Sequence, residues 1–279
     1  MIPFINFKDN TNIECEFIHA NGLPPFAYQS LLNLLSNNFN INAMLLRPHW
    51  KDDSGIKHFN SWDLFLEDFE HYAKENNINN AHGVGHSIGG NLLLRASINN
   101  KNLFKSIVLL DPTIFIPPIV YLWKFISYIP YLKSNFPLAK SARNRRNIFN
   151  NKNEIIKSYQ SKEIFKRIPI KQLEEYIDSI FTYNQISKKL KLNYAREWEE
   201  KIYLKSLLKD INIWKNIDKL EIPTLIITPE FNPVFRASAS KKILSNKHIV
   251  VKEIKNTTHL FPLEKPEETS RLIQNFLLK

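Results

Sequence analysis

Glycine is scarce in this chain. Its 279 residues include only six, against roughly twenty at an ordinary usage near 7%, so few positions are left where a side chain cannot fit. Cysteine is scarcer still. The lone Cys15 excludes an internal disulfide framework and fits a reducing compartment, and its place in an apolar strand reads as core. The N-terminus shows no basic region followed by a long apolar one, so no signal peptide is expected and the localisation reads as cytoplasmic. An uninterrupted membrane-spanning run is also lacking. Residues 114–132 imitate one, but Pro117, Pro118, Pro130 and Lys124 interrupt it. The segment reads instead as a lid with apolar and aromatic faces, with weak contact to a membrane surface as a minor option.

What the chain does have limits its class. With 43% apolar and 12% aromatic residues, it can bury a large core, and disorder is excluded. The net charge of +11 reads as lysines spread over solvated faces. Its one compact basic cluster, Arg143, Arg145 and Arg146 around Asn144, lacks the aromatic interleaving of a nucleic-acid platform. The expected partner is therefore a small-molecule substrate, with no nucleic acid.

Four of the six glycines, Gly83, Gly85, Gly89 and Gly90, crowd around Ser87. Gly85-His86-Ser87-Ile88-Gly89 reads GxSxG, the pattern of a strand-to-helix turn sharp enough to strain its central serine. The context suits that turn: Ala81–Val84 reads as a strand, and Asn91–Ser97 as a helix.

The first hundred or so residues alternate. Strands are expected at 4–7, 13–18, 41–46 and 106–110. Helices are expected at 28–35 and on the face marked by Trp62, Phe65, Leu66, Phe69, Tyr72 and Ala73, where Asn60 and Asp63 offer caps. From Thr113 to Leu220 the pattern is helix-like without strands, including 170–180 and 197–208. Strands resume at 222–228 and 249–254, and a last helix starts at Pro266. The spacing predicts an α/β fold with a mostly parallel sheet, residues 1–112 and 221–279 forming the core and 113–220 a helical cap.

A serine hydroxyl needs a base to become a nucleophile. Most of the eight histidines fall in loops, on helix surfaces or in the elbow strand. His259 instead follows the strand at 249–254 by five residues, at the sheet edge where ligands of open α/β sheets bind. His82 and His86 have i, i+4 spacing on a strand and turn, which does not place them together as metal ligands.

Taken in order, His19-Ala20-Asn21-Gly22-Leu23-Pro24, the Gly85–Gly89 elbow, Leu109-Leu110-Asp111-Pro112, Pro223-Thr224-Leu225-Ile226-Ile227 and the run from Thr258 to Glu267 resemble the α/β-hydrolase superfamily over essentially the whole chain. The resemblance is to single-chain members whose cap follows the strand after the nucleophile. It implies Ser87 as nucleophile, His259 as general base, and an oxyanion hole from the backbone N–H of Ile88 and of Leu23. It implies no cofactor and no metal.

In most such relatives the acid is an Asp in the loop after the strand at 225–227, where this chain has Asn232. Two carboxylates remain open, Asp111 and Glu230. The resemblance implies a serine hydrolase acting on an ester, thioester or related acyl bond. Acyl transfer, lactone opening, C–C cleavage and a non-catalytic ligand-binding shell are the alternatives. Phe115 and Trp123, with Ile116, Tyr121, Phe125 and Tyr131, suggest an apolar group bound beneath the cap.

Overall fold

Two stretches of chain far apart in sequence supply one sheet. The computed structural model describes residues 1–8, 11–50, 55–205 and 210–279. The first stretch runs β1 (Phe4–Phe7), β2 (Glu14–Ile18), α1 (Gln29–Ser36), β3 (Asn40–Met44), α2 (Asp63–Glu75), β4 (Ala81–His86), α3 (Ile88–Asn99) and β5 (Phe104–Leu110). An insertion follows: α4 (Pro117–Ile126), α5 (Pro130–Ser134), α6 (Pro137–Arg143), β6 (Ile148–Phe149), α7 (Lys152–Gln160), α8 (Ile170–Ile180), β7 (Phe181–Asn184), β8 (Lys189–Leu192), α9 (Arg196–Lys205) and α10 (Ile211–Asn216). The chain then returns to the sheet through β9 (Thr224–Pro229), α11 (Lys241–Leu244), β10 (Ile249–Ile254), α12 (Phe261–Glu264) and α13 (Pro266–Leu277).

The sheet order is β1-β3-β2-β4-β5-β9-β10. Only β1 is antiparallel, and it closes one edge against β3. Parallel strands need crossovers, and the helices that make them cover the sheet. Accordingly the central strands are buried along their length, with β4 and β9 wholly inside and β5 exposing only Lys105. Two helix pairs, α2 with α3 and α1 with α13, flank the sheet. The fold is thus the mostly parallel α/β arrangement expected, with the insertion placed between β5 and β9.

The insertion is not helical throughout. β6, β8 and β7 form a small antiparallel sheet, whereas the sequence pattern suggested no strands there. Strands of two to four residues are too short to show a period. The β7–β8 turn is instead held by Asn184, whose side-chain oxygen accepts from the N–H groups of Ile186 and Ser187 at 3.0 and 2.9 Å. A second difference concerns α2: Asp63 is the first residue of that helix and pairs with Arg95 of α3, while the hydroxyl of Ser61 accepts from the Asp63 N–H at 3.1 Å. The end of the helix expected at 197–208 lies outside the described residues.

Candidate active site

β4 runs into α3 through Ser87, whose backbone sits at φ 56°, ψ −115°, a region that non-glycine residues seldom occupy. The surroundings hold it there. The Ser87 N–H donates to Leu110 O at 2.9 Å, and its carbonyl accepts from Thr113 at 3.0 Å and from Asn91 at 3.2 Å. Close approach explains the flanking glycines. A Cβ on Gly89 would lie 2.0 Å from the Ile18 carbonyl oxygen, and one on Gly85 would lie 2.5 Å from the Gly89 oxygen, so β2, β4 and α3 meet only because these side chains are absent.

The loop after β10 brings His259 to the same place. The Thr258 N–H donates to Glu264 at 2.9 Å and the Thr257 carbonyl accepts from Phe231 at 2.9 Å, which fixes the loop on both sides. His259 Nδ1 lies 2.6 Å from Asp111 Oδ2. Asp111 is fully buried at the end of β5 with φ +38°. Its carboxylate also accepts from the backbone N–H of Val234 at 3.0 Å and of Phe235 at 2.9 Å. An acceptor-only carboxylate makes Nδ1 the protonated nitrogen and leaves Nε2 as the unprotonated one in the neutral ring.

Of the two carboxylates left open by the sequence, the fold thus brings Asp111 to His259. Glu230 is exposed and accepts from the Asn256 N–H at 2.7 Å, tying the loop after β9 to the turn after β10. The loop that carries Asn232 reaches Asp111 through main-chain groups. Ser87 Oγ bonds the Thr113 hydroxyl at 2.9 Å, and among the described residues no hydrogen bond joins it to His259.

The His19–Leu23 loop lies beside the elbow, with the His19 carbonyl oxygen against Gly89. Gly22, at φ +72°, makes a turn closed by the Leu23 N–H donating to Ala20 O at 3.2 Å. The donor expected of Leu23 is therefore engaged within its own turn. Asn21 lies between two tyrosines: its Oδ1 accepts from the Tyr194 hydroxyl, and its side chain also hydrogen-bonds Tyr203. Ile88 begins α3 and is buried.

Two neutral imidazoles brace these loops. The Leu46 N–H donates to His19 Nε2 at 3.0 Å, so His19 Nδ1 carries the proton and donates to Ala20 O at 2.8 Å; burial pushes its pKa down to about 4. His86 donates from Nε2 to the His259 carbonyl at 3.0 Å and accepts at Nδ1 from the Tyr28 hydroxyl at 2.7 Å. Tyr28 in turn accepts from the Ala20 N–H at 3.2 Å. Burial, and then the nearby His259, hold His86 well below the usual imidazole range. This buried chain of bonds joins the His19–Leu23 loop to the His259 loop through the residue before Ser87.

Residues 17–272 match the Alpha/beta hydrolase family. The chain belongs to that family. It is an enzyme of the hydrolase type. Solved α/β-hydrolase structures superpose along its whole length. MenH from S. aureus aligns at a TM-score of 0.73 with 16% identity, covering 100% of this chain and 98% of that one. A putative hydrolase from Rickettsia typhi aligns at 0.75 with 18% identity, over 99% and 92% of the two chains. E-2-(Acetamidomethylene)succinate hydrolase aligns at 0.70 with 18% identity, over 99% and 100%. No curated protein sequence is significantly similar to this one.

Within this α/β-hydrolase frame, sequence reasoning missed Thr113, Tyr28 and His86. Thr113 stands two residues beyond Asp111 and carried no motif. His86 was visible only as a strand residue, and nothing local linked it to Tyr28. Phe115 is half-buried, with its N–H on Asp210 at 2.8 Å and its carbonyl accepting from the Trp214 indole at 2.8 Å. Trp123 is buried against Phe136, ring centroids 4.6 Å apart. Tyr121, Phe125 and Tyr131, expected to cover an apolar group, are exposed instead.

Proposed function

We propose that the chain is a serine hydrolase that cleaves an ester, thioester or related acyl bond of a small, largely apolar substrate through an acyl-enzyme. The observation that carries this reading is the 2.6 Å contact between His259 Nδ1 and Asp111 Oδ2, made at the mouth of a strained serine elbow. With Nδ1–H held by the carboxylate, Nε2 is free to take the Ser87 proton as Oγ leaves Thr113 and adds to the acyl carbonyl. The tetrahedral oxyanion is received by the Ile88 N–H and by a donor of the His19–Leu23 loop. Each such donor contributes about 3 kcal/mol to transition-state stability in comparable chemistry. His259 then protonates the leaving group, and water, activated by the same imidazole, releases the acid.

Phe115 and the inner side of Trp123 support an apolar acyl group, although the outward aromatics of α4 and α5 make the surface available for it smaller than composition alone suggests. With Asp111 beside His259, Asn232 gives no reason to favour a ligand-binding shell without catalysis.

A fluorophosphonate probe tests the reading. Wild type is expected to label, and Ser87→Ala to lose labelling and the turnover of a panel of acyl esters. Asp111→Asn is expected to lower kcat/KM by about a thousandfold or more, while Glu230→Gln changes it by no more than about twofold. Labelling that survives Ser87→Ala, or a greater loss in Glu230→Gln than in Asp111→Asn, overturns it.

A further inference from the structure

Between Asp111 and Glu154 the sequence contains no acidic residue, while Lys124, Lys133 and Lys140 all lie within it. This stretch begins the insertion, and its first two helices are oriented in an unusual way. α4 turns Val120 and Trp123 inward, yet its outer stripe is as apolar as its inner one. Tyr121 and Phe125 are 60 and 67% exposed with Leu122 beside them, Tyr128 in the turn after the helix is 76% exposed, and Tyr131 and Leu132 of α5 continue the exposed series. An outward helix face is ordinarily polar, and the other exposed large apolar side chains, such as Phe26, Ile164 and Leu244, are scattered singly as is normal. Concentration at one place is what marks an interaction surface.

Beside this stripe opens a cavity of about 350 Å³ lined by Lys124, Ser127, Tyr128, Lys133, Leu204 and Lys205. Among the described residues neither Lys124 nor Lys133 pairs with a carboxylate. Lys205 is held below the ordinary lysine range, first by burial and then by Lys133 and Lys201, as expected of a cleft whose positive potential is not compensated. Aromatic and leucine side chains with interleaved lysines suit the boundary of an anionic bilayer, where rings and alkyl groups enter the headgroup region while ammonium groups stay at its surface. A second copy of this chain is a poor occupant, because the net charge of +11 and the lysines of the face repel their own image.

We propose that the α4–α5 face docks on a lipid bilayer bearing anionic lipid, with Tyr121, Leu122, Phe125 and Tyr128 entering the interface and the Lys124–Lys133–Lys205 cleft receiving a phosphate headgroup. The proposal concerns binding and does not depend on the catalytic reading.

Flotation of the full chain with vesicles of phosphatidylcholine, with and without phosphatidylglycerol, tests it. Partitioning is expected to favour the anionic vesicles by about tenfold or more at low salt and to weaken as salt rises. Lys124→Ala and Lys133→Ala each lower it roughly fivefold, and Phe125→Asp at least about tenfold. Lys219→Ala, a lysine exposed outside the face, leaves it unchanged, and circular dichroism and Tm establish that each variant is folded. Equal partitioning to both vesicle types, or undiminished binding by folded Phe125→Asp, overturns the proposal. So does a dimer that Phe125→Asp dissociates in protein that ignores vesicles, since the face would then belong to a second copy.

Discussion

Helices α3 and α4 are both largely apolar, yet they are held in opposite ways. In α3, every residue from Ile88 to Ser97 is buried, its N-terminal end lies against β2 with no room for a methyl group at Gly89, and even Arg95 is paired. In α4 only Val120 and Trp123 are buried, and the indole nitrogen of Trp123 has no partner among the described residues. The first helix is specified by backbone proximity, where a single added carbon is intolerable. The second is fixed by a few inward contacts and leaves most of its side chains free to meet something else. Composition does not distinguish these two situations; the amount of room does.

The sharpest way to break the contrast is Gly89→Ala. A Cβ 2.0 Å from the Ile18 oxygen and 2.6 Å from its carbonyl carbon meets backbone that cannot step aside, so a loss above about 3 kcal/mol is expected, read as a lowered urea midpoint or as failure to accumulate folded protein. A variant with the wild-type midpoint would mean that α3 and β2 are not in close contact.

A smaller effect is expected where the two regions join. Asp210 is buried and accepts from Asn91 of α3 and from Phe115 at the start of the insertion, each at 2.8 Å. Burial raises its pKa from 3.8 to about 7. The folded chain therefore keeps a proton that the unfolded chain has released, and this contribution to stability is lost as pH climbs from about 4 to about 7. His19 tilts the other way, since a folded pKa of about 4 against 6.5 makes stability fall as pH drops through that window. His19 is present in both proteins, so comparing wild type with Asp210→Asn cancels it. Between about pH 5 and pH 7, wild type is expected to lose roughly 2 kcal/mol more than the variant in urea unfolding. Parallel curves would remove Asp210 as a buried acid.

The smallest effect belongs to the exposed stripe. Leu122→Ser is expected to change unfolding free energy by less than about 0.5 kcal/mol, measured without lipid. A larger loss would mean that α4 is packed as α3 is.

Much of this contrast was legible in advance. The glycine cluster marked the elbow, and the alternation of strands and helices foretold the sheet, because both are local patterns with a period or a steric cause. The elements of the insertion were harder to read: β6, β7 and β8 are too short to show alternation. The choice between Asp111 and Glu230 was hidden for a different reason. Asp111 and His259 are 148 positions apart, and only the pairing of β5 with β9 and of β9 with β10 brings their loops together. Tyr28 and His86 were invisible on the same grounds, being 58 positions apart. The engagement of the Leu23 N–H is local instead, because the positive φ of Gly22 turns it back onto Ala20.

The Asp111 carboxylate is anchored by the main chain of Val234 and Phe235. A peptide N–H is the same whichever side chain it bears, so the loop after β9 can hold that carboxylate while its own side chains change. Asn232 is then a position at liberty: the geometry asks it for a backbone shape at φ 50°, which asparagine and aspartate adopt readily, and among the described residues its amide makes no hydrogen bond.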